Sequence, residues 1–359
     1  MIIGACGFGS TGSSVVTDYL SEFDSINVLD NMEFTWITEV DGLLYLERAL
    51  MNPFNRTNDS IVAIRRFLAL VNRKKHVYDL HGIPEEKFVE SAHKFIDQIT
   101  QAKWEWYDEI RDRDGSAFRH YLSSYMKQVY IPKKEKKVGR RIHCWPMREA
   151  RLSVRPENFY YAAQEHIKEL LIAGGVDFSK PIALDQIFSG NNPQAGFPFL
   201  DDPYAVVVDR DPRDNYVFAR TMLLGKNHFM PVDKVEDFIS YYRVIREGQP
   251  YQHEHERVLR LRFEDLVYEY EMTTAKLRKF LHLSDNPNPK MVFDPELSKA
   301  NTQVFRRFPE YAEDVKKIED ALPQYLFNFD KYSLPDSRGK MFFRKSPLNK
   351  YFKEAYSEK

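Results

Sequence analysis

"GACGFGSTGSSVV", residues 4–16, is one residue short of a phosphate-gripping P-loop. Gly7 to Ser14 follow G-x-x-x-x-G-K-[ST], except that Ser13 stands where the lysine belongs. The preceding "MIIGAC" is an apolar run ending near glycine, which predicts a buried parallel strand feeding a turn. Behind the loop, Val15, Val16, Tyr19, Leu20 and Phe23 fall on one helical face. "SINVLD" at 25–30 predicts a second strand, completing a βαβ unit with a right-handed crossover. In that context the glycines let backbone N–H groups turn toward an anion. The helix start adds unpaired donors, and Ser10, Thr11, Ser13 and Ser14 add hydroxyls. The competing reading is an ordinary strand–helix turn of small residues. A P-loop lysine reaches the β- and γ-phosphates, so its loss argues against ordinary ATP or GTP hydrolysis.

Composition narrows the class. The chain has 359 residues, which suits one large α/β domain or two smaller ones, with ample material for a core. A net charge of −1 argues against a nucleic-acid partner. Aromatics reach 14%, and such rings fill cores or line sugar and planar-ligand sites. Cys6 and Cys144 form neither a disulfide framework nor a paired zinc spacing, so a reducing, cytoplasmic setting and no metal site are expected. The N-terminus lacks a basic n-region, and no apolar run reaches the roughly 18 residues of a membrane span. Peripheral membrane contact is left open.

From 34 to 178 the pattern turns mostly helical, as in "SIVAIRRFLALVNR" and "PEEKFVESAHKFIDQI", with Pro84 and Pro156 where helices would begin. This reads as a long insertion within a single domain spanning 1–359. It carries the basic run "KKEKKVGRR" at 133–141, read as a solvated loop. Strands return with "PIALDQI" at 181–187, "YAVVVDR" at 204–210 and "RVLRLRF" at 257–263, the last two followed by helices. The expected fold is therefore α/β: a P-loop-like, three-layer arrangement with a central, mostly parallel sheet and a large helical insertion. The tail "FFRKSPLNKYFKEAYSEK", 342–359, shows only weak amphipathic character.

Arg210 follows a strand, and Asp211–Pro212 forms an N-cap and N1 pair opening the next helix. Arg210 then emerges at the carboxyl edge of the sheet, where the loop also lies, and its forked donors suit phosphate. By itself it would read as a partner in a surface ion pair.

With Gly9, Ser10, Thr11, Gly12, Ser13 and Ser14 after the first strand, "DRDPRD" at 209–214 and "VLRLRFEDLV" at 258–267, the sequence resembles the sulfotransferases. "NTQVFRRFPEYAEDVKKIEDALPQYLFNF", 301–329, is similar to that family's last helical segment. The likeness covers about the first 35 residues and about 180–330. It implies 3′-phosphoadenosine 5′-phosphosulfate (PAPS) as co-substrate, with the loop on the 5′-phosphosulfate and Arg210 on the 3′-phosphate. Two positions depart from the family pattern: Ser10 replaces a common Lys or Arg, and Phe218 replaces a serine eight residues after Arg210. Arg306, Arg307 or the basic insertion segment are the candidates to supply the missing cation. Phe263 is carried over as an adenine-side contact.

Sulfuryl transfer to a hydroxyl needs an in-line nucleophile and gains from a general base. Glu33, shortly after the second strand, matches the catalytic Glu of several carbohydrate sulfotransferases; helix capping competes as its role. Asp185 at the end of "PIALD" is the second candidate, as base, orienter or turn residue. His81 and His143 read as structural. His253 and His255, two apart, share no face for a metal. Glu264 and Asp265 read as helix caps. The insertion, with the aromatic stretch at 103–130, is expected to shape the acceptor site, and a hydroxyl-bearing carbohydrate or glycan is the acceptor implied by the resemblance. The rival functions are a P-loop-type nucleoside or sugar kinase and a non-catalytic nucleotide-binding protein.

Overall fold

The computed structural model describes residues 1–52, 57–80, 82–107, 117–139, 147–221, 230–247, 255–286 and 292–335. His81, His143, Cys144, His253, Arg140, Arg141 and the 342–359 tail lie outside them. Seven strands are present among the described residues: β1 (Ile2–Gly7), β2 (Asn27–Glu33), β3 (Ala102–Tyr107), β4 (Met147–Leu152), β5 (Ile182–Asp185), β6 (Pro203–Asp209) and β7 (Val258–Arg262). The chain divides into two compact units, one formed by 1–39, 79–84 and 167–359, the other by 40–78 and 85–166.

The first unit is built on a five-stranded sheet in the order β2-β5-β1-β6-β7, with every neighbouring pair parallel. This is the α/β arrangement that the alternating pattern predicts. The first two strands are not neighbours, because β5 inserts between β1 and β2. Strands β1 and β5 are buried almost throughout, so they read as apolar runs and not as alternation. Helix α1 (Ser14–Leu20) places Val15, Val16, Tyr19 and Leu20 in a core with Val206, Val208, Phe263 and Leu266. A second core joins the helices Pro212–Thr221, Val235–Glu247 and Ala312–Ala321 through Tyr216, Phe238, Tyr242 and Ile318.

The second unit is mainly helical, with long elements at Thr57–Asp79 and Glu85–Ile99. Phe67 meets Phe95 edge-on at 5.7 Å, and His166 stacks on Phe95 at 5.5 Å. The His166 Nδ1 is 2.8 Å from Ser91 Oγ, so this histidine is a satisfied core residue. Two features correct the sequence reading. Strands β3 and β4 form an antiparallel pair inside the helical stretch. Residues 133–138, expected as a loop, belong to the helix Ile131–Val138, which ends at Gly139 in the left-handed conformation (φ 67°).

Candidate active site

The loop between β1 and α1 is wound tightly. Gly9 (φ 86°), Ser10 (φ 53°) and Gly12 (φ 86°) all take left-handed backbone. Glycine meets this demand without strain, whereas Ser10 needs external support. The loop's own and neighbouring side chains supply that support. Arg210 Nη1 donates to the Ser10 carbonyl at 3.2 Å, and Asn215 Nδ2 donates to the Gly9 carbonyl at 3.0 Å. The Phe8 N–H donates to Thr11 Oγ1 at 3.1 Å. At Gly12 a Cβ would come within 2.6 Å of the Phe263 ring. Among the described residues, none of the N–H groups from Gly9 to Ser14 meets a protein acceptor. Six adjacent free donors on a turn whose Gly9 and Ser10 carbonyls are tied back suit an anion.

Ser13, at the lysine position, is held from β5. Its hydroxyl donates to Asp185 Oδ1 at 3.3 Å and accepts from Gln186 Nε2 at 2.7 Å. Gln186 itself is left-handed (φ 60°), with its N–H bonded to the Ala5 carbonyl at 2.7 Å. Four residues further on, Gly190 presses against β1; a Cβ there would lie 2.4 Å from the Gly7 carbonyl oxygen.

Glu33 is the last residue of β2, in register with Asp185, and does not follow the strand as the sequence suggested. The extra length comes from an irregular register between Leu29 and Glu33. The helix-capping alternative for Glu33 is not met, since the next helix begins at Leu43. Asp185 is buried, and burial first, then the charge of Glu33, raises its carboxyl to about 7. Glu33 is exposed, yet the protein around it desolvates its carboxyl enough to raise it above the ordinary glutamate value. Two carboxyl groups thus stand side by side at the carboxyl edge of the sheet, next to the loop.

Arg210 is 5% exposed. Its guanidinium lies between the rings of Phe218 (4.8 Å) and Phe263 (5.3 Å), and Nη2 donates to the Asn301 carbonyl. Its Nε is buried without an acceptor. Burial lowers its pKa, opposed by the charges of Asp214, Glu264 and Asp211. Arg307 lies close enough that the charge of Arg210, after burial, depresses its pKa, and it donates to the Thr302 carbonyl at 2.8 Å. Two arginines near enough to feel each other's charge, with an orphan N–H on one of them, suit a multiply charged anion. Arg306 is exposed and turned elsewhere, donating to Gln303 Oε1 at 2.8 Å beside Phe305. Phe263 is buried beneath Gly12 as a core residue. Glu264 does not cap its helix; it accepts the Asp211 N–H at 2.9 Å, while Asp211 caps the Pro212–Thr221 helix through the Arg213 N–H at 2.8 Å, as the sequence predicts. His255 accepts the Arg257 N–H at 3.0 Å in a turn.

The sequence reading missed Asn215, Gln186 and Asp214. Asn215 and Asp214 sit in "DRDPRDN" beside Arg210, so their place after the strand was a usable signal. The Asp214 carboxylate accepts the Gln303 and Phe305 N–H groups at 2.7 and 3.2 Å and thereby fixes the segment that carries Arg307.

No family model matches the chain, and no curated protein matches it. Among solved structures it is similar to a sulfotransferase domain from the curacin biosynthetic pathway, at 13% identity and a TM-score of 0.37, covering 91% of this chain and 98% of that one. It is also similar to a retinol dehydratase in complex with androsterone and the inactive cofactor PAP, at 13% identity and a TM-score of 0.28, covering 99% of this chain and 77% of that one.

Proposed function

We propose that this chain is a sulfotransferase that moves a sulfuryl group from 3′-phosphoadenosine 5′-phosphosulfate to an acceptor hydroxyl. The observation that carries this reading is the run of unengaged N–H groups from Gly9 to Ser14, beside a pair of carboxyl groups. A sulfuryl group carries less charge than a γ-phosphoryl group, so backbone and hydroxyl donors suffice where a nucleoside triphosphatase uses lysine. Arg210 and Arg307 provide the cationic end suited to the 3′-phosphate. Glu33, the more exposed carboxylate, takes the acceptor proton. The acceptor oxygen then bonds sulfur, the bridging S–O bond breaks, and 3′-phosphoadenosine 5′-phosphate departs. Asp185 holds Ser13 in place.

A carbohydrate or glycan is the acceptor class we favour, on the resemblance of the sequence to the sulfotransferases. The small number of cysteines supports a cytoplasmic setting. The test is acceptor-dependent release of 3′-phosphoadenosine 5′-phosphate from the donor, screened over sugars and oligosaccharides. Wild type should turn over, and Glu33→Gln should lose at least about a hundredfold in kcat while still binding nucleotide. Equal turnover by both proteins removes Glu33 as the base, and absence of release with every acceptor class counts against the carbohydrate assignment.

A further inference from the structure

The segment from Ala117 to Val138 is one unbroken helix. Residues Ala117–Tyr125 are α-helical, Met126–Tyr130 form a π turn, and Ile131–Val138 resume the α-helix. The π turn is sealed by the Ile131 N–H on the Met126 carbonyl. This helix wears large apolar residues on the outside. Phe118 is 71% exposed, Tyr121 70%, Leu122 46% and Tyr125 46%. Their spacing of i, i+3, i+4 and i+7 places all four on one face. Ser124, Lys127, Ile131 and Glu135 are among the half-buried positions. An ordinary amphipathic surface helix is arranged the other way round, with its apolar stripe against the core.

The π turn sets how that stripe continues. Five residues at about 4.4 per turn rotate the chain less than an α-helix would. The lag brings exposed Tyr130 back onto the aromatic face and places Lys133 and Lys137 in line with it. Lys134 and Lys136 flank them, and all four lysines are exposed. Glu135, the lone acidic residue of Ile131–Val138, is half-buried and turned away. One face therefore presents large aromatic rings at one end and a block of positive charge at the other, in a protein whose net charge is −1.

We infer that this face docks on an anionic lipid bilayer. Aromatic side chains settle at the headgroup level, and clustered lysines gain from the negative surface potential. No helix among the described residues is long and apolar enough to cross a membrane, and the inferred contact is with the bilayer surface. An acidic protein surface would meet the lysines but leave the rings uncovered, and an apolar groove would do the reverse.

The experiment is co-sedimentation of the full-length chain with vesicles of phosphatidylcholine, with and without phosphatidylglycerol, at low and high salt. Binding is expected only to the anionic vesicles and should weaken with salt. Replacing Lys133, Lys134, Lys136 and Lys137 by Gln should lower the partition coefficient at least about a hundredfold, at roughly fivefold per lysine. The paired change Phe118→Ser and Tyr121→Ser should also reduce binding, with the melting temperature kept because both side chains are exposed. Equal binding to neutral vesicles, or wild-type binding by both variants, overturns the inference. So does a wild type that ignores vesicles but self-associates through Phe118 and Tyr121.

Discussion

Ser13 Oγ donates to Asp185 Oδ1 at 3.3 Å while Gln186 Nε2 donates to the same hydroxyl at 2.7 Å. The residue at the lysine position of a P-loop is thus a clasp between the loop and β5. Ser13→Ala removes the donor and leaves Asp185 short of a partner. It should cost about 1–2 kcal/mol in urea unfolding. An unchanged midpoint would mean that the clasp contributes nothing.

Asp185 also predicts a pH dependence of stability. Burial and Glu33 raise its carboxyl to about 7, against roughly 4 in an unfolded chain. Between these values the folded state binds more protons than the unfolded one. This group's contribution is therefore full below about pH 4, falls as pH rises, and is lost above about pH 7. Asp185→Asn cannot ionise, so it should flatten that slope and gain on the order of 2–4 kcal/mol relative to wild type at pH 8. Thermal unfolding of both proteins from pH 5 to 8 measures it; parallel curves would contradict the raised carboxyl.

Arg210 compensates buried acids as well as bracing Ser10. Burial raises Asp214 to about 6 and Glu264 to about 8, and the charge of Arg210 opposes the rise at Asp214. Arg210→Ala removes that charge and two carbonyl contacts, and should destabilise by roughly 3–5 kcal/mol. Arg210→Lys keeps the charge but not the fork, and should fall between. Stability within error of wild type for the alanine variant would show that Arg210 is not structural.

Gly12 carries two constraints that can be separated. Its φ of 86° disfavours any Cβ, and the Phe263 ring blocks one at 2.6 Å. Gly12→Ala should cost about 2–4 kcal/mol. In a Phe263→Leu background the steric part is relieved and the backbone part remains, so the double-mutant cycle should show coupling of about 1 kcal/mol. Zero coupling would mean that the ring does not restrict the loop.

Much of this architecture is legible in the amino-acid order because it is local. The β1 run, the small-residue loop and the α1 stripe are contiguous, and each carries its own periodicity. The same holds for Asp211–Pro212 and for the β6 and β7 runs. What the order conceals is tertiary. Glu33 belongs to β2 because the strand stretches to meet Asp185, about 150 residues away in sequence. The β3–β4 pair hides because "AKWEWY" alternates apolar with charged residues over only 6 positions inside helical surroundings. Phe263 is an adenine-side contact only by the resemblance, and the order of residues does not reveal that its ring packs under Gly12. Arg306 and Arg307 are adjacent in sequence, and only the 3-10 turn Val304–Arg307 separates an exposed one from one beside Arg210.

The most direct test of the central claim is calorimetric titration with 3′-phosphoadenosine 5′-phosphate, ADP and ATP with Mg²⁺. The free N–H groups of Gly9–Ser14 and the Arg210–Arg307 pair predict selective binding of the 3′-phosphorylated nucleotide. Arg307→Ala should weaken that binding at least about tenfold, with little effect on ADP. Preference for ATP with Mg²⁺ would contradict the account in favour of a kinase, and no binding of any of the three would contradict it in favour of a protein without nucleotide chemistry.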